Sequence, residues 1–133
     1  MLIYTDSVIP IYYYDHIGPF QARASRRIAL LLAAGDQMTV SNLVRMECRI
    51  GPLRSGDRAR LAIFDGFFAS PQVRFAPLTA AVFDRAAEIR ARYGFKTPDS
   101  IHLAAAVESG CDRMLTRDSR LLRYPDLTVE ILP

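Results

Sequence analysis

Five short β-prone runs, Leu2 to Thr5, Met38 to Val40, Val73 to Ala76, Arg113 to Thr116 and Leu127 to Ile131, are separated by stretches of helical periodicity. No Asn-Gly hairpin signal joins any two of them. Strands that alternate with helices and lack tight hairpins run parallel, because a parallel return needs a crossover long enough to hold a helix. Parallel sheets are covered on both faces. The expected architecture is therefore α/β: a three-layer sandwich around a central parallel sheet of about five strands, built as one domain over residues 1–133.

The intervening segments carry their own start and stop signals. Phe20, Ala24, Ile28, Leu31 and Leu32 recur at helical spacing, with Arg23, Arg26 and Arg27 opposite and Gly35 as the stop. Ser41 or Asn42 opens a helix expected to run to about Ile50 and to end at Gly51-Pro52. Leu61, Phe64 and Phe68 mark a helix after the turn at Ser55-Gly56, and Val82, Ala86, Ile89 and Tyr93 mark another, closed by Gly94. Thr97 is the expected cap of a helix with Pro98 at its first position, and Asp118-Ser119 opens a short one.

In a chain of 133 residues, half of them hydrophobic, a packed core is expected and disorder is not. No apolar run approaches the roughly 18 residues of a membrane span, and the N-terminus lacks signal-peptide character, so a cytoplasmic protein is expected. Cys48 and Cys111 form no CxxC and read as free thiols. A net charge of +3 permits an RNA partner without demanding one. Lys96 is the only lysine beside sixteen arginines, whose forks suit phosphate or carboxylate. A GC-rich coding bias gives the same preference.

Four acids sit at strand ends or helix starts. Asp6 and Asp118 follow the first and fourth strands, Glu47 lies in the helix after the second, and Asp99 opens the helix leading into the fourth. Singly, each has an ordinary explanation as a cap, a helix-dipole partner or surface charge. Jointly, they fall where open α/β sheets bind ligands, beyond the carboxyl ends of the strands. Carboxylates so gathered repel by roughly 4 kcal/mol per pair at 4 Å and an effective dielectric near 20, so they call for a divalent cation or a shared proton. Oxygen ligands without a His or Cys set select Mg²⁺ or Mn²⁺, whose usual substrate partner is phosphate.

The segments Tyr4-Thr5-Asp6-Ser7-Val8, Ser41-Asn42-Leu43-Val44-Arg45-Met46-Glu47, Lys96-Thr97-Pro98-Asp99-Ser100-Ile101-His102-Leu103-Ala104-Ala105-Ala106 and Leu115-Thr116-Arg117-Asp118 resemble the fingerprint of the PIN-domain family. Within that family, the compact length is similar to the VapC-like toxins of bacterial toxin and antitoxin pairs. The resemblance implies an endoribonuclease dependent on Mg²⁺ or Mn²⁺, often a homodimer, silenced by a small antitoxin bound across its groove. It carries the metal and catalytic roles to Asp6, Glu47, Asp99 and Asp118, with Ser7 and Thr116 in support. The chain departs from the family pattern at two places. Val8 stands where a second small polar residue is usual, and Ser119 and Arg120 follow Asp118 where many members have another acid.

Arg45, Arg117 and Arg120 are candidate contacts for RNA or antitoxin, with a solvated helix face as the ordinary alternative. His102 follows Asp99 by one turn. A packed histidine bonded to nearby backbone is expected there, rather than a ligand or general base. Receiver-domain and D-x-D phosphatase arrangements, P-loops and G-x-S-x-G elbows have no matching residues. The alternative to a nuclease is a PIN-like module that binds RNA or protein and has lost turnover.

Overall fold

A computed structural model describes residues 1–15 and 18–133. Strands β1 (Leu2–Thr5), β2 (Gln37–Val40), β3 (Val73–Phe75), β4 (Arg113–Thr116) and β5 (Thr128–Ile131) form one sheet in the order β3-β2-β1-β4-β5, and every pairing is parallel. Between them lie α1 (Val8–Asp15), α2 (Gly18–Ala33), α3 (Asn42–Ser55), α4 (Arg58–Ala69), α5 (Ala80–Tyr93) and α6 (Thr97–Glu108), with a 3-10 turn at Ser119–Arg123. The chain builds outward from β1 in one direction, then returns to build outward in the other. That reversal between β1 and β4 leaves a crevice at their carboxyl ends.

Alternation along the strands sorts the core into two layers. Ile3, Met38 and Leu115 pack with Ile9 of α1 and Ala24, Ile28 and Leu31 of α2. Tyr4 and Met114 face the opposite way, onto Val44, Phe64, Val82, Ile89 and Leu103 from α3 to α6, and Val40, at the last position of β2, joins that second cluster. The three-layer α/β expectation holds. Among the described residues, no helix is long and apolar enough to cross a membrane.

Strands β2, β3 and β5 differ from expectation by one residue at one end each, and two helix boundaries differ as well. Helix α3 does not stop at Gly51-Pro52; it continues to Ser55 and ends at Gly56, whose φ of 72° and N–H bond to the Pro52 carbonyl close it. A proline normally drives the preceding residue out of helical geometry by clashing with its Cβ. Gly51 has no Cβ, so the helix passes through, and Pro52 is buried. Helix α6 takes Thr97 as its first residue, with Lys96 at the cap and no side-chain capping bond. Pro98 does sit in its first turn.

Candidate active site

Asp6 leaves β1 directly into the crevice. The register that pairs Thr5 with Leu115 sets Thr116 opposite Asp6. The Thr116 hydroxyl donates to Asp6 Oδ2 at 2.5 Å, and the Val8 N–H donates to Oδ1 at 3.2 Å. Thr116 Oγ1 in turn accepts the Asp118 N–H at 3.1 Å, so one threonine ties two acids. Among the described residues, the Asp6 carboxylate takes its bonds from Val8 and Thr116, with none from the Ser7 hydroxyl. Thr116 lies 110 positions from Asp6, and only the strand pairing brings them together.

Asp118 plays the ordinary role as well, accepting the Arg120 N–H at 3.0 Å as cap of the 3-10 turn. Arg120 also folds back on it as a fork, Nε to Oδ1 at 2.9 Å and Nη2 to Oδ2 at 2.6 Å. Those guanidinium bonds hold the Asp118 carboxyl below its usual range, against a smaller opposing effect of burial. Asp6, Asp99 and Asp118 line one open cavity of about 520 Å³ together with Val8, Thr116 and Arg120. Burial pushes Asp6 up to about 6, against the Thr116 bond. Burial also raises Asp99, and the charge of Asp118 adds to it.

Glu47 comes from α3 and is not part of that cavity wall. Its charge still acts on Asp99. Its Oε1 lies 2.6 Å from Nε2 of His102, whose Nδ1 lies 2.7 Å from the Tyr4 hydroxyl. His102 is therefore not bonded to nearby backbone as its spacing suggested; it joins two side chains. Of the three candidate contact arginines, Arg45 lies 3.8 Å from Asp65 and Arg117 lies over the Phe20 ring at 4.1 Å. Arg117 and Arg120 belong to the cavity wall.

Among the described residues, no three His, Cys, Asp or Glu side chains close to the spacing of a ready metal cage. The site nonetheless fits a hard cation by its chemistry. Asp6 is half-buried with neutral hydrogen-bond donors only among the described residues, and Asp99 has no protein hydrogen-bond donor among them, so two carboxylates lack a direct counter-charge. The donors are oxygens, and Mg²⁺ needs only one or two carboxylates because it keeps several waters.

Known proteins share this arrangement of elements. The chain is 17% identical to a chain of VapBC2 from Rickettsia felis, solved bound to a promoter DNA fragment, with all of both chains covered and a TM-score of 0.81. It is 18% identical to a chain of DNA-bound VapBC from Salmonella typhimurium, again over all of both chains, at a TM-score of 0.80. VapC20 of Mycobacterium tuberculosis, a sarcin-ricin loop cleaving toxin, is 19% identical over 84% of this chain and 86% of its own, at 0.70. At such identities the likeness is one of fold. No curated protein matches by sequence. The family profile described as PIN domain matches residues 3–127, and the chain belongs to the PIN-domain family.

Proposed function

We propose that this chain is an endoribonuclease toxin that hydrolyses RNA phosphodiester bonds with Mg²⁺ or Mn²⁺ and is neutralised by a small cognate antitoxin. The observation that carries the reading is the set of three carboxylates, Asp6, Asp99 and Asp118, on one cavity at the switch point of a PIN-family sheet. Asp6 and Asp99 would hold the ion directly, with Glu47 completing the set from α3 and Asp118 holding water or a second ion. When bound, the ion supplies Lewis acidity toward a water and toward the phosphodiester. Thr116 keeps Asp6 in one orientation, and Asp118 keeps Arg120 at the cavity mouth, where its remaining guanidinium N–H groups suit a phosphate oxygen.

The antitoxin partner is supported by the solved relatives, which include toxin–antitoxin complexes. A homodimer acting in the cytoplasm as a single domain over residues 1–133 completes the proposal. Purified protein should cleave RNA with Mn²⁺ or Mg²⁺, and lose at least about 100-fold in rate with EDTA, Asp6→Asn or Asp99→Asn. Equal cleavage by the wild type and both variants would refute it.

One observation favours a second reading. Arg120 already neutralises Asp118, as it would in a module that binds RNA without cutting it. RNA affinity without Mn²⁺ uptake or cleavage is the outcome that selects this reading.

A further inference from the structure

A line of buried hydroxyl and imidazole groups runs from the sheet to Glu47. Ser41 Oγ lies 2.8 Å from the Tyr4 hydroxyl, which lies 2.7 Å from His102 Nδ1, and His102 Nε2 lies 2.6 Å from Glu47 Oε1. Ser41 and Tyr4 are 0% exposed and His102 is 2% exposed. A carboxylate only accepts, so Nε2 carries the proton shared with Glu47. In the tautomer protonated there, the Tyr4 hydroxyl donates to Nδ1 and Ser41 donates to the tyrosyl oxygen. Each polar hydrogen is then used once and no acceptor in the line is orphaned.

Two features indicate that this line serves Glu47 and not merely the core. Ser41 occupies the N-cap of α3 in extended geometry, yet its hydroxyl makes no capping bond. A serine there ordinarily stabilises its helix by about 1 kcal/mol through that bond. Here the hydroxyl is turned inward to Tyr4. The line also ends on the one part-exposed member of the set, Glu47, whose side chain is 25% exposed and would otherwise be free to change rotamer. Only Oε1 is engaged, and Oε2 has no protein donor among the described residues.

We propose that His102 is a positioning residue, which holds Glu47 by Oε1 and so leaves Oε2 free for the cation; the inference rests on the metal-dependent reading above. His102 and Asp99 lie one turn apart on α6. That helix therefore supplies one acid and aims the other. Ligand-orienting partners of this kind commonly change metal affinity by about 10- to 100-fold when removed.

Mn²⁺ titration by calorimetry, with thermal melts as the check on folding, tests the assignment on the full chain. Wild type binds Mn²⁺, Glu47→Ala binds it more weakly, and His102→Leu loses about 10-fold or more. His102→Gln, which restores an N–H donor, recovers part of that loss. In a Glu47→Ala background, His102→Leu adds no further loss, because its effect passes through Glu47. Tyr4→Phe keeps the buried shape and serves where His102→Leu does not fold; it is expected to lose about threefold, and no loss counts against the line.

Wild-type affinity in folded His102→Leu, or losses that simply add in the double variant, overturn the positioning role while leaving the metal site standing. Absence of Mn²⁺ uptake by wild type overturns the metal-dependent reading itself and this inference with it. Undiminished Mn²⁺ affinity in Glu47→Ala removes Glu47 as a ligand and leaves His102 without a role here.

Discussion

Asp6 carries the largest conflict between stability and use. Burial raises its carboxyl from 3.8 to about 6, so the folded state holds the proton more tightly than the unfolded chain does. The stability this contributes is fully present below the unfolded value near 4 and is lost as pH rises through about 6. Asp6→Asn should therefore stabilise the metal-free protein at pH 7, by on the order of 1–3 kcal/mol, and give no gain near pH 3.5. Chemical denaturation at the two pH values checks this; equal effects at both would refute it. The positions of Asp6, Asp99 and Asp118 are legible in sequence because each lies beside a strand end or helix start, whereas Glu47 sits within α3. Their partners are not. Thr116, Tyr4, Ser41 and His102 reach their targets across 37 to 110 residues, and local periodicity carries no information about such pairs.

At the scale of elements, strand and helix identities follow from periodicity and capping residues, whereas the end of α3 does not. Pro52 is an ordinary stop signal, and its neutralisation depends on Gly51 preceding it. Gly→Ala inside a helix usually gains about 0.5–1 kcal/mol. Gly51→Ala should gain nothing or lose stability, although no described atom outside its chain neighbours and the adjoining helix backbone lies within 4 Å of the added Cβ. A rise of about 1 kcal/mol in urea unfolding would contradict the account of α3. A second tie links β5 to its neighbours: Glu130 accepts from Arg27 of α2 at 2.7 Å and from Arg113 of β4 at 3.1 Å. Arg27 first, and then Arg113, hold the Glu130 carboxyl below its usual 4.5 against a partial effect of burial. Its contribution is present above pH 4.5 and fades as pH falls through the lowered value. Glu130→Gln should lose about 1 kcal/mol at pH 7 and progressively less toward pH 3, followed by melts across that range.

For the whole molecule, ligand linkage offers a test independent of catalysis. If Mn²⁺ binds the folded chain alone, a concentration about 100 times its Kd adds about 2.7 kcal/mol of stability. The melting temperature should rise with Mn²⁺ and return on adding EDTA, and Asp6→Asn should blunt the rise. The parallel α/β architecture was legible because alternating strands and helices leave few arrangements. The strand order was not, since periodicity says nothing about which strand pairs with which. That order has a temporal consequence. β1 sits at the centre of the sheet, hydrogen-bonded to β2 on one side and to β4 on the other. During synthesis the first strand can pair on one flank early, but its other flank stays open until residues 113–116 have emerged. The acidic cavity, which needs Asp6 beside β1 and Asp118 beside β4, cannot assemble before then. Completion of the cavity therefore waits on a slow, long-range strand pairing, and the two halves of the site share the fate of that one pairing.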